Sequence, residues 1–237
     1  LEDLYEGPDD EQLQKDFDEV TEEAEKFRDK YRGRIEDCEL TSSEFKDAMD
    51  EYEEIYEQIG KIGSYANLYY SLDTQDPDRG ALLQKAQKTQ SEVKNSLVFF
   101  ELEWQNIDDE KAEEYMESEE LEKYKNYLRH WRRYTPYMLS ESEEQIIESM
   151  QNTAKDAFVR LFDQTIGEMK VDFKVDAEEY EMVFDQALSV LYEKDRDKRK
   201  AAADAVTETL KDKNNVLNFI FNNIVQNHST ISEFRDY

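Results

Sequence analysis

The chain has 237 residues, and its 59 Asp and Glu outnumber its 30 Lys and Arg, leaving a formal charge of −29. So acidic a surface repels phosphate backbones and anionic membranes, which excludes a nucleic-acid binder driven by counterion release, and no apolar run approaches the ~20 residues of a membrane helix. With 38% hydrophobic and 12% aromatic residues there is still enough apolar material for a core, and a chain of this length buries ~70% of its unfolded surface as one large domain or two small ones.

Only 6 Gly and 3 Pro occur, so turns are scarce and regular elements must be long. From Leu13 the apolar positions Phe17, Val20, Ala24, Phe27 and Tyr31 alternate steps of four and three, which lines one face of a helix. Pro8 and Asp9–Asp10 suit its start and Gly33 its stop. Thr41-Ser42-Ser43-Glu44 reads as a capping box, in which hydroxyl and carboxylate each satisfy an orphan N–H. The helix it opens carries Phe45, Met49, Tyr52, Ile55 and Ile59 and continues through Leu72, with Gly60 and Gly63 as its weak points. Asp76-Pro77-Asp78-Arg79 opens a third helix through roughly Asn106. A shorter pair is expected at about 108–117 and 118–133, after which Pro136 breaks the chain. Ser140-Glu141-Ser142-Glu143 is a second capping box, and the helix it opens is expected to run to about Glu168.

One stretch changes period. Met169, Val171, Phe173 and Val175 alternate with Lys170, Asp172, Lys174 and Asp176, the period of a strand. A turn at Ala177–Glu179 and a return strand at Tyr180–Met182 complete a hairpin, and two further helices cover about 183–193 and 196–227. The predicted fold class is all-α, long antiparallel helices with one small β-hairpin near 169–182.

Chemistry is harder to find. The two histidines, His130 and His228, belong to no HExxH, HxH or Cys/His cluster. Arg129-His130-Trp131-Arg132-Arg133 forms a basic island, read either as an anion or C-terminal carboxylate site or as a cationic helix end paired with nearby acids; the second is preferred. The runs Asp50-Glu51-Tyr52-Glu53-Glu54 and Glu110-Lys111-Ala112-Glu113-Glu114 could be drawn as metal sites or acid/base pairs. Among 59 acids such runs arise by chance, and they read as solvated faces. Tyr69-Tyr70, Phe99-Phe100, Trp104, Trp131 and Tyr134-Thr135-Pro136-Tyr137 could line a peptide groove, but their helical spacing assigns them to the core. Cys38 is the only cysteine, so no intramolecular disulfide forms and a reducing, cytoplasmic setting is expected; its acidic neighbours oppose nucleophilic use. No phosphate-binding glycine loop or serine elbow occurs. No catalytic, cofactor-binding or metal-ligating residue is assigned.

The order of several short segments adds a family likeness. Leu1-Glu2-Asp3-Leu4-Tyr5 with Gly7-Pro8-Asp9-Asp10, then Ile62-Gly63-Ser64-Tyr65-Ala66, Asp73-Thr74 and Asp76-Pro77, are similar to oligoendopeptidase F, a zinc metallopeptidase of the thimet-oligopeptidase type. Phe99-Phe100-Glu101-Leu102-Glu103, Tyr127-Leu128-Arg129 through Arg133-Tyr134, and Leu139-Ser140-Glu141 with Glu143-Glu144 continue the match. Ala157-Phe158-Val159-Arg160-Leu161-Phe162-Asp163 and Arg199-Lys200-Ala201-Ala202-Ala203 extend it along essentially the whole chain. The resemblance implies a fragment, the helical N-terminal portion that forms one wall or lid of a deep channel for short peptide substrates. It implies that zinc is bound by the full-length enzyme through an HExxH helix and a more distal Glu, none of which is present here, and that the partner of this region is its own C-terminal catalytic region. The implied layout is a helical subdomain over 1–107, a helical domain with the hairpin over 108–193, and the truncated start of the catalytic region over 194–237. The contrasting reading is a free-standing acidic helical scaffold or adaptor that binds basic protein partners.

Overall fold

The computed structural model describes residues 1–176 and 178–237. The first helix, α1 (Glu11–Tyr31), starts where the Asp10 carboxylate accepts the Gln12 N–H at 2.8 Å. Gly33, at φ +84°, takes the left-handed conformation that turns the chain after it. Helix α2 (Ser42–Ser71) opens on the expected capping box, with Thr41 N–H donating to Glu44 at 2.9 Å and Glu44 N–H to the Thr41 hydroxyl at 3.2 Å. Helix α3 (Pro77–Asn106) begins at the expected proline, with the Asp76 carboxylate accepting the Asp78 N–H at 2.9 Å. Then follow α4 (Asp109–Glu117), α5 (Lys125–Arg133), α6 (Glu141–Gln151) and α7 (Lys155–Gly167), the strands β1 (Lys170–Val175) and β2 (Glu178–Val183), and α8 (Phe184–Val190), α9 (Arg196–Asp212) and α10 (Asn214–Arg235). The fold is all-α with a small antiparallel hairpin.

Several boundaries differ from expectation: the helix expected over about 118–133 is α-helical only from Lys125, and the last helix runs to Arg235 rather than to about 227. The helix predicted to run from the second capping box to Glu168 is divided into α6 and α7 by Asn152-Thr153-Ala154, and the last predicted helix is divided at Lys213, just before Asn214-Asn215. Both interruptions fall on or beside Asn, whose side chain competes for backbone hydrogen bonds and weakens a helix interior. The hairpin is tighter than expected. Glu178 and Glu179, expected in the turn, already pair with Val175 and Lys174, and Asp176 takes φ +54°; Ala177, the first residue of the expected turn, lies outside the described residues.

The chain divides into two compact units. The first comprises Leu1–Leu72, Ala81–Asn152 and Ser232–Tyr237. Its core joins Leu13, Phe17, Val20 and Phe27 of α1 to Phe45, Met49, Tyr52 and Ile55 of α2 and to Leu97, Phe100 and Trp104 of α3. The Phe27 ring meets Phe100 edge-on at 5.0 Å, and Tyr52 stacks on Phe100 at 5.1 Å. Each such ring removes roughly 150–250 Å² from water, so this aromatic cluster contributes substantially to the unit's stability. Trp104 donates through Nε1 to the Leu128 carbonyl at 3.0 Å, fixing α5 against α3. Near the amino terminus the buried Asp16 accepts from the Tyr5 hydroxyl at 2.7 Å and pairs with Lys61 at 3.5 Å.

The second unit comprises Asp73–Gly80 and Thr153–Ile231. Met169, just before β1, and Val171 and Phe173, the inward side of β1, pack with Phe184, Ala187 and Val190 of α8 and Ala202 and Val206 of α9. The outward residues Lys170 and Lys174 pair with Glu181 and Glu179 across the hairpin. The helix packing supplies what an isolated two-stranded ribbon lacks.

Candidate functional site

Helix α3 carries two acids inside an otherwise apolar run, Phe99-Phe100-Glu101-Leu102-Glu103-Trp104. Two positions apart on a helix, they point to different sides, and their surroundings set them to different uses.

Glu103 is buried, and its Oε1 accepts the Gly33 N–H at 2.7 Å. Burial raises its carboxyl above the ordinary value, while the backbone N–H groups of Gly33, Glu36 and Ile35 oppose that rise. The other oxygen is sealed from solvent without a hydrogen bond. This side chain anchors the turn between α1 and α2. It also lines a cleft of about 580 Å³ with Arg32, Glu36, Phe99, Asn106 and Glu141. Arg32 lies over the Phe99 ring at 5.6 Å and pairs with Glu141.

Glu101 faces the other way, toward α2 and α5. Its Oε1 accepts from the Gln105 amide at 3.3 Å, and Gln105 donates to the Trp131 carbonyl at 3.0 Å. Tyr52 and Tyr56, one turn apart on α2, have ring centroids 4.6 Å apart, and Tyr127 packs on Trp131 of α5 at 4.6 Å. Tyr56 and Tyr127 are 37% and 45% exposed, so aromatic surface remains accessible beside the carboxylate. Burial, reinforced by the nearby Glu144 and opposed by Arg235, lifts the Glu101 carboxyl to about 7. Burial also pushes the Tyr56 phenol up to about 12, against the Tyr52 hydroxyl and together with the Glu101 charge. Arg235 is itself held by Glu144 in a two-pronged pair at 2.6 Å for each bond. An acid that changes charge near neutrality beside open tyrosines is the most distinctive chemistry in this unit.

Two arginines of the basic island on α5 are engaged internally. Arg132 donates to the Trp104 and Ile107 carbonyls at 3.0 and 3.1 Å, closing the end of α3, and pairs with Asp109. Arg129 pairs with Glu113 at 3.6 Å. His130 is exposed and meets Tyr134 edge-on at 5.1 Å, and His228 is exposed on α10. In the run Asp50–Glu54, Asp50 and Glu53 both accept from the Tyr124 hydroxyl, at 2.5 and 2.8 Å, and both pair with Lys123. Tyr70, Phe99, Phe100, Trp104 and Trp131 are core residues, whereas Tyr134 is 43% exposed: it caps α5, where the chain leaves the packed interior. Among the described residues, no three of His, Cys, Asp and Glu converge as a metal-ligand set. Glu101 was not singled out from the sequence. The available signal was its place in an apolar run, where an ionised side chain must find a partner or shift its titration.

A family model described as Oligopeptidase F matches residues 103–170. The chain is 25% identical over 217 residues to oligopeptidase PepF of Bacillus subtilis, an alignment covering 88% of this chain and 31% of that protein. Its fold is similar to that of oligoendopeptidase-F from Enterococcus faecium, with a TM-score of 0.80 at 22% identity over 95% of this chain and 43% of that one. The chain therefore spans less than half the length of the relatives it matches. The sequence likeness to oligopeptidase F and the similarity of fold to an oligoendopeptidase-F thus point the same way.

Proposed function

We propose that this chain is the non-catalytic N-terminal portion of a cytoplasmic, zinc-dependent oligoendopeptidase that hydrolyses short peptides, and that its first unit forms a wall of the substrate channel. The observation that carries the proposal is the co-linear match to oligopeptidase PepF along 88% of the chain. The open tyrosines and the titrating Glu101 are what a wall in contact with extended peptides would use: flat apolar surface with one polar anchor. The residues present do not fit zinc, since no ligand set converges among those described, and no catalytic step is assigned to them. The metal would bind in the C-terminal catalytic region of the full-length polypeptide and there activate water or polarise the scissile carbonyl. What this chain contributes is restriction and orientation of the peptide.

A length series tests the proposal. Full-length enzyme and an enzyme lacking residues 1–237 are given peptides of increasing length at equal zinc occupancy. The expected result is that the full-length form cleaves short peptides and rejects long ones, while the shortened form loses that selectivity or binds peptides far more weakly. The same length dependence in both forms would refute the wall.

A further inference from the structure

Glu101 and Glu103 differ in one respect that bears on binding. The unbonded oxygen of Glu103 is sealed inside the protein, whereas Glu101 lies part-buried at the surface, where among the described residues one oxygen accepts only from the neutral Gln105 amide and the other has no bonded partner. Among the described residues no lysine or arginine closes on it. Its neighbours are already matched to one another: Arg235 of α10 is clasped by Glu144 of α6, and Lys94 of α3 pairs with Glu148 of α6 at 3.1 Å. Tyr52 and Tyr56 of α2 and Tyr127 of α5 complete the groups within electrostatic reach, and all three are neutral phenols near pH 7. When ionised, Glu101 is offset only at a distance by the already paired Arg235, in a partly desolvated place with the accessible rings of Tyr56 and Tyr127 beside it.

We propose that Glu101, framed by Tyr56 and Tyr127, is a binding subsite for the ammonium or guanidinium group of a lysine or arginine side chain in a peptide. This rests on the channel-wall reading and deepens it by naming the substrate class. An ammonium group supplies the charged donor that the open oxygen lacks. The tyrosine rings attract the same cation through their faces and cover its methylene stem. Partial burial makes the pairing stronger than that of a fully exposed carboxylate, which water screens. A norleucine side chain has the same apolar stem and no charge, so it leaves the carboxylate unpaired under a hydrophobic cover.

The test is a ¹H–¹⁵N NMR titration of the 237-residue chain with the pentapeptides Ala-Ala-Lys-Ala-Ala and Ala-Ala-norleucine-Ala-Ala. At pH 8.5 the lysine peptide should bind about tenfold more tightly, a margin typical of a charge-assisted hydrogen bond, and should move the Gln105 side-chain amide and the Tyr127 backbone amide. At pH 5.5, with Glu101 protonated, the preference should fall to near unity. Glu101→Gln should abolish it at both pH values, and Glu101→Asp should retain part of it. Tryptophan fluorescence of each variant verifies that the fold is intact. A preference that survives in Glu101→Gln, or equal affinity for both peptides in the unaltered chain at pH 8.5, overturns the subsite. Equal binding of both peptides to the Glu101 face would leave the channel wall standing, and the length series decides that separately.

Discussion

Glu101 and Glu103 show how the same side chain, two positions apart, is directed to different ends by what surrounds it. Burial raises the Glu101 carboxyl from its ordinary value of 4.5 to about 7. A raised acid disfavours the folded state once it must ionise, so its contribution to stability is fully present below pH 4.5 and lost as pH rises through about 7. The difference of roughly 2.5 units corresponds to at most about 3 kcal/mol. Trp104 and Trp131 are the only tryptophans and both belong to the first unit, so their fluorescence reports its unfolding selectively. In urea titrations followed this way, Glu101→Gln should gain on the unaltered protein by about 2–3 kcal/mol between pH 5 and pH 8.5; a constant difference across that range would show that the carboxylate is already relaxed in water. The Glu103 carboxyl is raised by burial as well, but its side chain has a structural use, because its Oε1 satisfies the Gly33 N–H beneath the α1–α2 turn. Glu103→Ala should cost about 1–3 kcal/mol by leaving that donor buried and unpaired. Glu103→Gln, which keeps an acceptor, should cost less than half as much in the same assay, and equal losses would argue against the turn-anchoring bond.

At the scale of elements, start signals proved more legible than interruptions. Thr41 with Glu44, Asp76 with Pro77, and Asp10 each announce a helix through residues adjacent in sequence, and α1, α2 and α3 begin where those signals stand. The strict alternation from Met169 to Val175 likewise marks β1, whose inward residues are the buried ones. The breaks at Asn152–Ala154 and Lys213 leave the apolar period almost unchanged on either side, so periodicity alone joins the helices across them. The candidate site was less visible still. A carboxylate among 59 carries no local mark of its use; what distinguishes Glu101 is its setting against Tyr52, Tyr56 and Tyr127 from two other helices, which only packing creates. Packing also governs Gly167 at the end of α7, where an added Cβ would lie 2.3 Å from the Thr74 hydroxyl oxygen. Gly167→Ala should therefore destabilise the second unit by about 1–3 kcal/mol. Combining it with Thr74→Ala, which vacates that space, should recover most of the loss, a coupling of about 1 kcal/mol or more. Amide exchange in β1 measures both, and simple additivity would show that the two residues do not oppose each other.

At the scale of the whole molecule, the acidity and the absence of converging metal ligands among the described residues belong to a chain matching less than half of its oligopeptidase relatives. A charge of −29 favours solubility and, through long-range attraction, the approach of basic peptides, an effect that weakens as salt shortens the Debye length to about 8 Å at 0.15 M. The division of labour proposed between this region and a downstream zinc-binding portion is tested most directly by one comparison. Residues 1–237 and the full-length polypeptide are incubated with the same short fluorogenic peptide, with and without a zinc chelator, and the zinc content of each is measured. The full-length protein should contain zinc and cleave the peptide until the chelator is added, while residues 1–237 should hold no stoichiometric zinc and cleave nothing. Stoichiometric zinc or hydrolysis in residues 1–237 alone would contradict the proposed division.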